Sequence, residues 1–259
     1  MLSAYLLTHN SARRLDQVLA AIQDIADEIV IVDSGSSDAT RAIAERHGAR
    51  FVFRRFDTFT LQREFAVSQC SHEWVLSLDS DEVASPALRE VLLSLKAAGF
   101  RRGGMLPDAY AIRREWYFLG HHVHCFYPSQ CPDQPVRLFQ RDKAAYIPGR
   151  HVHEGMTGFA QALPIEEPLL HYTCDSVDDL YSKLNQYSTL AARDLVAQKV
   201  SPGWGKVIIM PILVAAQWYF LRGGWRDGLV GLVHARFVQD MVYQKYLKLK
   251  LDLQTQDAG

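Results

Sequence analysis

Residues 74–82 read Trp-Val-Leu-Ser-Leu-Asp-Ser-Asp-Glu, an apolar segment of strand length that ends in two aspartates one residue apart. A strand over 74–78 would deliver Asp79 and Asp81 to the loop at its carboxyl end. Hard divalent cations prefer oxygen ligands, and Mg²⁺ takes one or two carboxylates and completes its shell with substrate phosphates. Acidic turns are common and usually solvated, so two aspartates alone would not indicate a metal site. Their position directly after a buried strand is what favours one. The stretch predicts a site for a metal ion and a diphosphate.

Strands and helices alternate around this stretch through the first hundred residues. Apolar and β-branched runs predict strands over 2–8, 28–32 and 49–53, and helical spacing of apolar residues predicts helices over 15–25, 40–47, 61–71 and 86–98. Such alternation predicts an α/β fold, in which helices flank a mostly parallel, twisted sheet.

Three polar clusters fall at the carboxyl ends of these predicted strands. They are Thr-His-Asn at 8–10, Asp-Ser-Gly-Ser-Ser-Asp at 33–38, and the acidic cluster at 79–82. Ligands of parallel α/β sheets bind at this edge. The three clusters are therefore the candidate binding site.

The composition excludes several classes of protein. The chain has 259 residues, 48% hydrophobic and 22% charged, with a formal net charge of −1. This apolar content excludes a mainly disordered chain, and the balanced charge argues against a wholly basic nucleic-acid-binding protein. Four cysteines in a chain of this length predict reduced thiols, and no signal peptide is recognisable before the first strand. We expect a cytoplasmic protein with no nucleic-acid partner.

The chain divides by pattern into two parts. We predict a catalytic domain over 1–175, with a ligand-binding half over 1–100 and a looser half over 101–175. Residues 176–259 are predicted to form a helical extension. Residues 183–250 carry ten Lys and Arg but three Asp and no Glu, a net charge of +7. A basic end of this kind predicts an acidic surface as its partner.

An apolar run at 207–221 within this extension has three interpretations. Its 15 residues are fewer than the ~20 needed to span a bilayer, and Pro211 interrupts it. Basic and aromatic residues at its ends favour a helix that lies among lipid headgroups of an anionic membrane. A helix packed on the catalytic domain is almost equally compatible, and a transmembrane span ranks third.

The polar clusters, with Gln62-Arg63, resemble those of family 2 glycosyltransferases of the GT-A fold. Later segments resemble a bacterial branch that adds a sugar, commonly glucose, to the lipopolysaccharide inner core: 117–120, 137–141, 152–154 and 171–172. The resemblance implies an inverting transfer from a UDP-sugar to a glycan or glycolipid acceptor, with Mg²⁺ or Mn²⁺, at the inner face of the cytoplasmic membrane. Serines at 34 and 37 depart from the family's usual acidic residue and threonine.

The resemblance also implies roles for individual residues. Asp33 would accept a hydrogen bond from the uracil N–H, and Arg63 would lie against the base or diphosphate. The full donor-binding set would be Thr8, Asn10, Asp33, Arg63, Asp79, Ser80 and Arg137. The metal ligands would be Asp79, Asp81 and His153.

Glu154 is the candidate general base, because an inverting transfer needs a carboxylate that takes the proton of the attacking hydroxyl. Asp133 is the rival base, since an acidic residue stands at that place in the family.

Two other functions remain open at this point. A metal-dependent nucleotidyltransferase also uses carboxylate-bound Mg²⁺, but no Gly-rich, lysine-bearing loop follows the first strand. A zinc-stabilised membrane adaptor would use the local cluster of His121, His122, His124, Cys125 and Cys131, whose spacing does not match paired zinc sites. The sequence does not indicate an oligomeric state.

Overall fold

The structure is a computed structural model that describes residues 1–129, 131–147 and 155–251. These residues form two compact units. The sheet unit comprises the described parts of 1–115, 133–149 and 154–171. The helical unit comprises those of 116–132 and 172–259. The predicted domain boundary at residue 175 stays a prediction.

The strands confirm an α/β sheet, and they extend several predicted boundaries. In chain order they are β1 (Leu2–Thr8), β2 (Glu28–Asp33), β3 (Arg50–Phe53), β4 (Trp74–Asp79), β5 (Glu82–Ala84), β6 (Ala109–Phe118), β7 (His121–Val123), β8 (Val136–Gln140), β9 (Ala145–Tyr146), β10 (Met156–Thr157) and β11 (Ala162–Cys174). The main sheet runs in the order β3-β2-β1-β4-β8-β6-β11-β5. The first four strands in this order are parallel, whereas β8 is antiparallel to β4 and to β6, and β5 to β11. The sheet is therefore mixed.

The helices lie between and after these strands, and some of them begin at a polar cap. They are α1 (Ala12–Ile22), α2 (Thr40–Arg46), α3 (Phe59–Gln69), α4 (Pro86–Ala97), α5 (Val177–Ala197), α6 (Trp204–Ala216) and α7 (Gly228–Leu251). The Ser85 hydroxyl accepts a hydrogen bond from the Leu88 N–H, and the Ser176 hydroxyl accepts one from the Asp179 N–H. Each bond satisfies an N–H that has no partner within its own helix. These caps confirm the predicted start of the helix at residue 86 and of the helical extension at residue 176.

The core of the sheet unit lies on both faces of the sheet. Successive side chains of a strand point to opposite faces. Leu2, Ala4 and Leu6 of β1 accordingly join one apolar cluster with residues of α1, α2 and α4. Tyr5 belongs to a second cluster, with Ala66 of α3. Helices on both faces leave the strand ends as the place where polar groups can gather.

The register of the parallel strands brings the predicted polar clusters to one edge. Thr8 of β1 pairs with Asp33 of β2, and Leu7 pairs with Asp79 of β4. The three strands therefore end level with one another, as the sequence predicts.

The helical unit has its own core, in which aromatic rings surround a buried histidine. The His234 ring stacks on Phe118 and Phe126 and lies against Trp218. Burial lowers the pKa of His234 to about 3, so the imidazole is neutral. α7 packs against both α5 and α6.

Helix α6 differs from the sequence-based expectation at Pro211. The proline lies inside the helix, which continues as a π-helical turn over Gln217–Leu221 and ends before Gly223, whose φ is +83°. The whole segment Trp204–Leu221 is 18 residues long, and by length and composition it is a candidate membrane span with 17% of its residues buried.

Two glycines allow the segment after α6 to contact α7 closely. A Cβ atom on Gly231 of α7 would lie 1.9 Å from the carbonyl oxygen of Gly224. We predict that Gly231→Ala lowers the free energy of unfolding by at least the ~1–3 kcal/mol typical of overpacking, because backbone atoms must move. Gly205→Ala in α6 is the matched control, since a Cβ there meets nothing within 4 Å. Urea unfolding of both variants measures the difference, and equal stability would contradict the prediction.

Candidate active site

The carboxylate of Asp33 organises the loop that follows β2. Its Oδ2 accepts hydrogen bonds from the hydroxyls of Thr8 (2.8 Å) and Ser36 (2.5 Å), and its Oδ1 accepts from the backbone N–H groups of Gly35 and Ser36 (2.9 and 2.8 Å). Burial would raise the pKa of Asp33, but these hydrogen bonds outweigh it and lower the pKa. Four donors use the acceptor capacity of one carboxylate. A further N–H donor, such as that of the uracil expected from the sequence, would have to replace one of them, and the rotatable Ser36 hydroxyl is the simplest to displace.

Three further contacts join the three strand ends. The Asn10 side-chain oxygen accepts a hydrogen bond from the Ser37 N–H (2.8 Å), and the Asn10 N–H donates to the Ser36 hydroxyl (2.8 Å). The Ser11 hydroxyl contacts that of Ser80 at 2.9 Å, which links the first loop to the acidic cluster. The structure thus brings Thr8, Asn10, Asp33 and Ser80 together.

Asp79 lies between two buried arginines. Arg63 of α3 donates to its Oδ1 at 2.6 Å, and Arg137 of β8 donates to its Oδ2 at 2.7 Å. Burial would raise the pKa of Asp79, but attraction to Arg137 and then to Arg63 holds it at about 2. Both Asp79 oxygens are directed at guanidinium groups, so Arg63 and Arg137 lie at the base of the site.

Glu82 is fully buried and is the centre of this charge network. Its Oε1 accepts hydrogen bonds from Arg137 (2.5 Å) and Arg114 (3.0 Å). Burial would raise the pKa of Glu82, but Arg137 first, and then His171 and Arg114, hold it well below its ordinary value. Sequence reasoning gave no role to Glu82 or Arg114, although Glu82 directly follows Asp81.

His171 of β11 lies between Glu82 and Asp81. Its Nδ1 is 3.2 Å from Glu82 Oε1, and its Nε2 is 3.5 Å from Asp81 Oδ1. An ionised carboxylate only accepts hydrogen bonds, so we assign the Nδ1–H as the donor to Glu82, and this contact leaves Nε2 facing Asp81. Sequence reasoning quoted His171 as part of a family segment without a role.

Of the two candidate bases, the structure describes Asp133 but not Glu154. The Asp133 Oδ2 forms an ion pair with Arg114 at 2.7 Å, and its side chain is mostly buried. Glu154 lies outside the described residues, as does the predicted metal ligand His153.

Within the described ranges, one group of three residues with metal-binding side chains comes together. It consists of Asp79, Glu82 and His171, whose ligand atoms lie within 4.8 Å of one another. Arginine contacts already engage Asp79 and Glu82. Asp81 and the Nε2 of His171 face one another, and two ligands at right angles on one Mg²⁺ ion lie about 3 Å apart. An oxygen and a neutral imidazole nitrogen suit Mg²⁺ or Mn²⁺, and the carboxylate that holds His171 resembles the outer shell of metal sites.

The His and Cys residues proposed for a zinc adaptor have other contacts. Cys131 Sγ is 3.9 Å from His124 Nε2, and the same nitrogen is 3.1 Å from an Nη atom of Arg226. A guanidinium beside that nitrogen disfavours a cation there. The zinc interpretation therefore gains no support from the described part of the chain.

Comparisons with known proteins cover most of the chain. Residues 3–173 match the domain family Glycosyl transferase family 2. The lipopolysaccharide core biosynthesis glycosyltransferase LpsC of Rhizobium meliloti (strain 1021) is 32% identical over 241 residues, which cover 90% of this chain and 86% of that protein. An uncharacterized glycosyltransferase of Rickettsia bellii (strain RML369-C) is 27% identical over 271 aligned positions, which cover 99% and 89%.

Solved structures with a similar fold share little sequence. Glucosyl-3-phosphoglycerate synthase of Mycobacterium tuberculosis, in a complex with UDP and Mn²⁺, has a TM-score of 0.49 and 16% identity, with 78% of this chain and 81% of that chain covered. TarS of S. aureus has a TM-score of 0.45 and 14% identity, with 98% and 91% covered.

The buried charge network predicts how stability depends on pH. The pKa of Asp79 in the folded state is about 2, and an unfolded aspartate has a pKa of about 4. Because the folded pKa is the lower one, its stabilisation, on the order of 2 kcal/mol, is present above pH 4 and is lost as the pH falls toward 2. Burial of neutral His234 adds an earlier decline, because an unfolded histidine takes up a proton below about pH 6.5 and His234 does not. We predict an unfolding free energy, measured by urea unfolding, that begins to fall below about pH 6.5 and falls further below about pH 4 as Asp79 is protonated.

Removal of Arg137 tests the origin of this dependence. Arg137→Met leaves two buried carboxylates without their shared cation, which typically costs about 3–5 kcal/mol at neutral pH. The loss relative to wild type should shrink in acid, where protonation removes the unpaired charges. Arg41→Met, whose ion pair with Glu45 is exposed, should change little. A loss for Arg137→Met that is constant with pH would contradict the electrostatic explanation.

Proposed function

This chain belongs to glycosyl transferase family 2, and we propose that it transfers a sugar, glucose in the first instance, from a UDP-sugar to a lipopolysaccharide-type glycan acceptor with inversion. One observation carries the proposal: Asp33, Ser80, Asp81 and His171 gather at one edge of the sheet. Beneath them lies a buried network in which arginines balance the charges of two carboxylates. Family membership favours glycosyl transfer over nucleotidyl transfer.

We assign different residues of this edge to different parts of the nucleotide-sugar donor. We assign the uracil and ribose to the loops of Thr8, Asn10 and Asp33, which the hydrogen bonds between β1 and β2 hold in place. Ser80 joins this loop to the acidic cluster. Arg63 and Arg137 keep the Asp79 carboxylate fixed and ionised. Asp79 can then accept hydrogen bonds from ribose hydroxyls on its exposed side.

Asp81 and the Nε2 of His171 are the described residues that would hold a Mg²⁺ or Mn²⁺ ion, with Glu82 orienting His171. His153 stays a predicted further ligand. When bound, such an ion supplies charge that stabilises the departing diphosphate.

The chemical step needs a base on the acceptor side. We propose that Glu154 takes the proton of the acceptor hydroxyl as its oxygen forms a bond to the anomeric carbon and the bond to the UDP oxygen breaks. Asp133 is the weaker candidate, because Arg114 is already bound to one of its oxygens. The Arg114 contact instead links Asp133 to Glu82 within the network.

The expected acceptor sets the place of action. A lipopolysaccharide-type glycolipid is anchored in a membrane, so we propose that the protein works peripherally, at the cytoplasmic face of an anionic membrane.

A donor panel tests the proposed reaction. We expect release of the nucleoside diphosphate from UDP-glucose in the presence of Mn²⁺ and a lipopolysaccharide core acceptor, and little release from GDP- or ADP-linked sugars. The measurement is a coupled assay for the free diphosphate. Equal rates with all nucleotides would contradict the assigned base pocket.

Metal capture is tested without turnover, by calorimetric titration of Mn²⁺ into the chain with UDP. Asp81→Asn should abolish detectable Mn²⁺ binding, and Glu82→Gln should weaken it by about 10–100-fold, the usual effect of losing an outer-shell partner. Asp16→Asn, an exposed carboxylate of α1 that pairs with Arg46, is the control and should bind as wild type does. Normal binding by Asp81→Asn would exclude Asp81 as a ligand.

The base assignment makes a separate prediction. Glu154→Gln keeps the shape of the side chain but cannot take a proton, so kcat should fall by about 10²–10⁴-fold while UDP affinity stays unchanged. Asp133→Asn should cost much less, and kcat and donor affinity are measured for both. The reverse pattern would assign the role to Asp133.

A further inference from the structure

The helical unit carries a continuous apolar surface along one side of α6. We call it the α6 outer face. Its members are each more than half exposed, although all are large and apolar: Trp204, Ile208, Ile209, Ile212, Leu213, Phe220 and Leu221. Exposed apolar surfaces of this extent usually mark a binding surface.

The spacing of these residues shows that the surface is one-sided. From Trp204 the exposed side chains recur at i+4, i+5, i+8 and i+9, which lie on one side of a helix. The opposite side is buried: Val207, Pro211, Ala215 and Trp218. Ala215 and Trp218 pack against Val238 of α7. The protein therefore covers one side of α6 and leaves the apolar side exposed.

The charged residues within the stretch of chain that holds the outer face have a single sign. Residues 195–226 include no Asp or Glu, and all four of their basic residues are exposed: Lys199, Lys206, Arg222 and Arg226. Trp204 and Trp225, both 54% exposed, lie near the two ends of the segment. Tryptophan rings favour the boundary between hydrocarbon and headgroups, and basic side chains favour anionic headgroups.

We propose that the α6 outer face is a lipid-binding surface, which lies parallel to an anionic bilayer with its apolar side chains among the acyl chains just below the headgroups. Lys206 and Arg222 contact lipid phosphates. This surface gives the proposed peripheral location a physical basis, and it would attach the protein to a membrane whether or not the proposed transfer reaction occurs.

A spanning orientation fits less well, because α7 packs along α6 and carries ionised groups. Arg236 and Asp240 form an ion pair on α7, and Lys248 donates hydrogen bonds to Asn185 of α5. A membrane-spanning α6 would bring this charged helix toward the hydrocarbon core, where ionised side chains are costly.

A second copy of the chain is also a poorer partner than lipid. A symmetric dimer contact uses the same surface on both copies. Pairing two outer faces would bring the four basic residues of each copy near those of the other, with no acidic residue in 195–226 to compensate.

Vesicle flotation with the full chain tests the proposal. We expect wild type to float with vesicles of phosphatidylethanolamine and phosphatidylglycerol at low salt, less at high salt because charges are screened, and weakly with phosphatidylcholine alone. Ile209→Asp with Leu213→Asp should abolish flotation. Lys206→Gln with Arg222→Gln should weaken partitioning by roughly 30-fold, as expected for two basic residues near the surface.

Controls separate this surface from other effects. Met105→Asp introduces a charge at a similarly exposed apolar residue of the sheet unit and should float like wild type. Melting temperatures should match for all variants, since the substituted residues are exposed. Flotation needs no donor, acceptor or metal, so it can succeed when the proposed transfer fails.

Two outcomes would overturn the proposal. One is flotation that Ile209→Asp with Leu213→Asp leaves unchanged. The other is a wild type that stays with the soluble fraction at low salt and sediments as a dimer that this variant dissociates, which would assign the outer face to self-association.

Discussion

The guanidinium group of Arg137 donates to Asp79 and to Glu82 at once, and the rest of the site depends on this pair of contacts. Two carboxylates this close, with Glu82 wholly buried, would repel one another and take up protons without a cation between them. With Arg137 in place, and Arg63 and Arg114 on either side, both carboxylates stay ionised in the interior. These contacts hold Asp79 and Glu82 in place on either side of Asp81 in the acidic loop.

The ionised Glu82 also determines what His171 can do. By accepting the Nδ1–H, Glu82 fixes the ring direction, so that Nε2 faces Asp81. A protonated Glu82 would lose this preference for the Nδ1–H donor. The residue that orients the candidate metal ligand is therefore itself held in its charged form by arginines from β6 and β8. Asp79, Asp81 and Glu82 are neighbours in the sequence, but we assign each of them a different role in the proposed site.

The two units reach their stability by different means. The sheet unit places apolar side chains on both faces of its strands and gathers polar groups at one edge. In the helical unit, glycines at 224 and 231 permit close backbone contact, and aromatic rings enclose a neutral His234. Its outward side remains apolar along α6, which a purely aqueous environment would not favour.

The sequence by itself determined the elements and their polar ends. Period-two and helical patterns, with serine caps at 85 and 176, gave the strand and helix starts, because these signals act within a few residues of the chain. The pattern also placed Asp33 and Asp79 at one edge, since parallel strands must end on the same side. It could not show that Pro211 would stay inside α6, because packing against α7 overrides a local preference.

Only the tertiary structure decided which charges meet. Arg114, Arg137 and His171 are 32 to 89 positions from Glu82 in the chain, and strands β6, β8 and β11 bring them beside it. Local propensity carries no information about such long-range pairing. The arginine contacts also distinguish Asp79 from Asp81, although both were predicted as metal ligands. Burial and register, which depend on the whole sheet, supply that distinction.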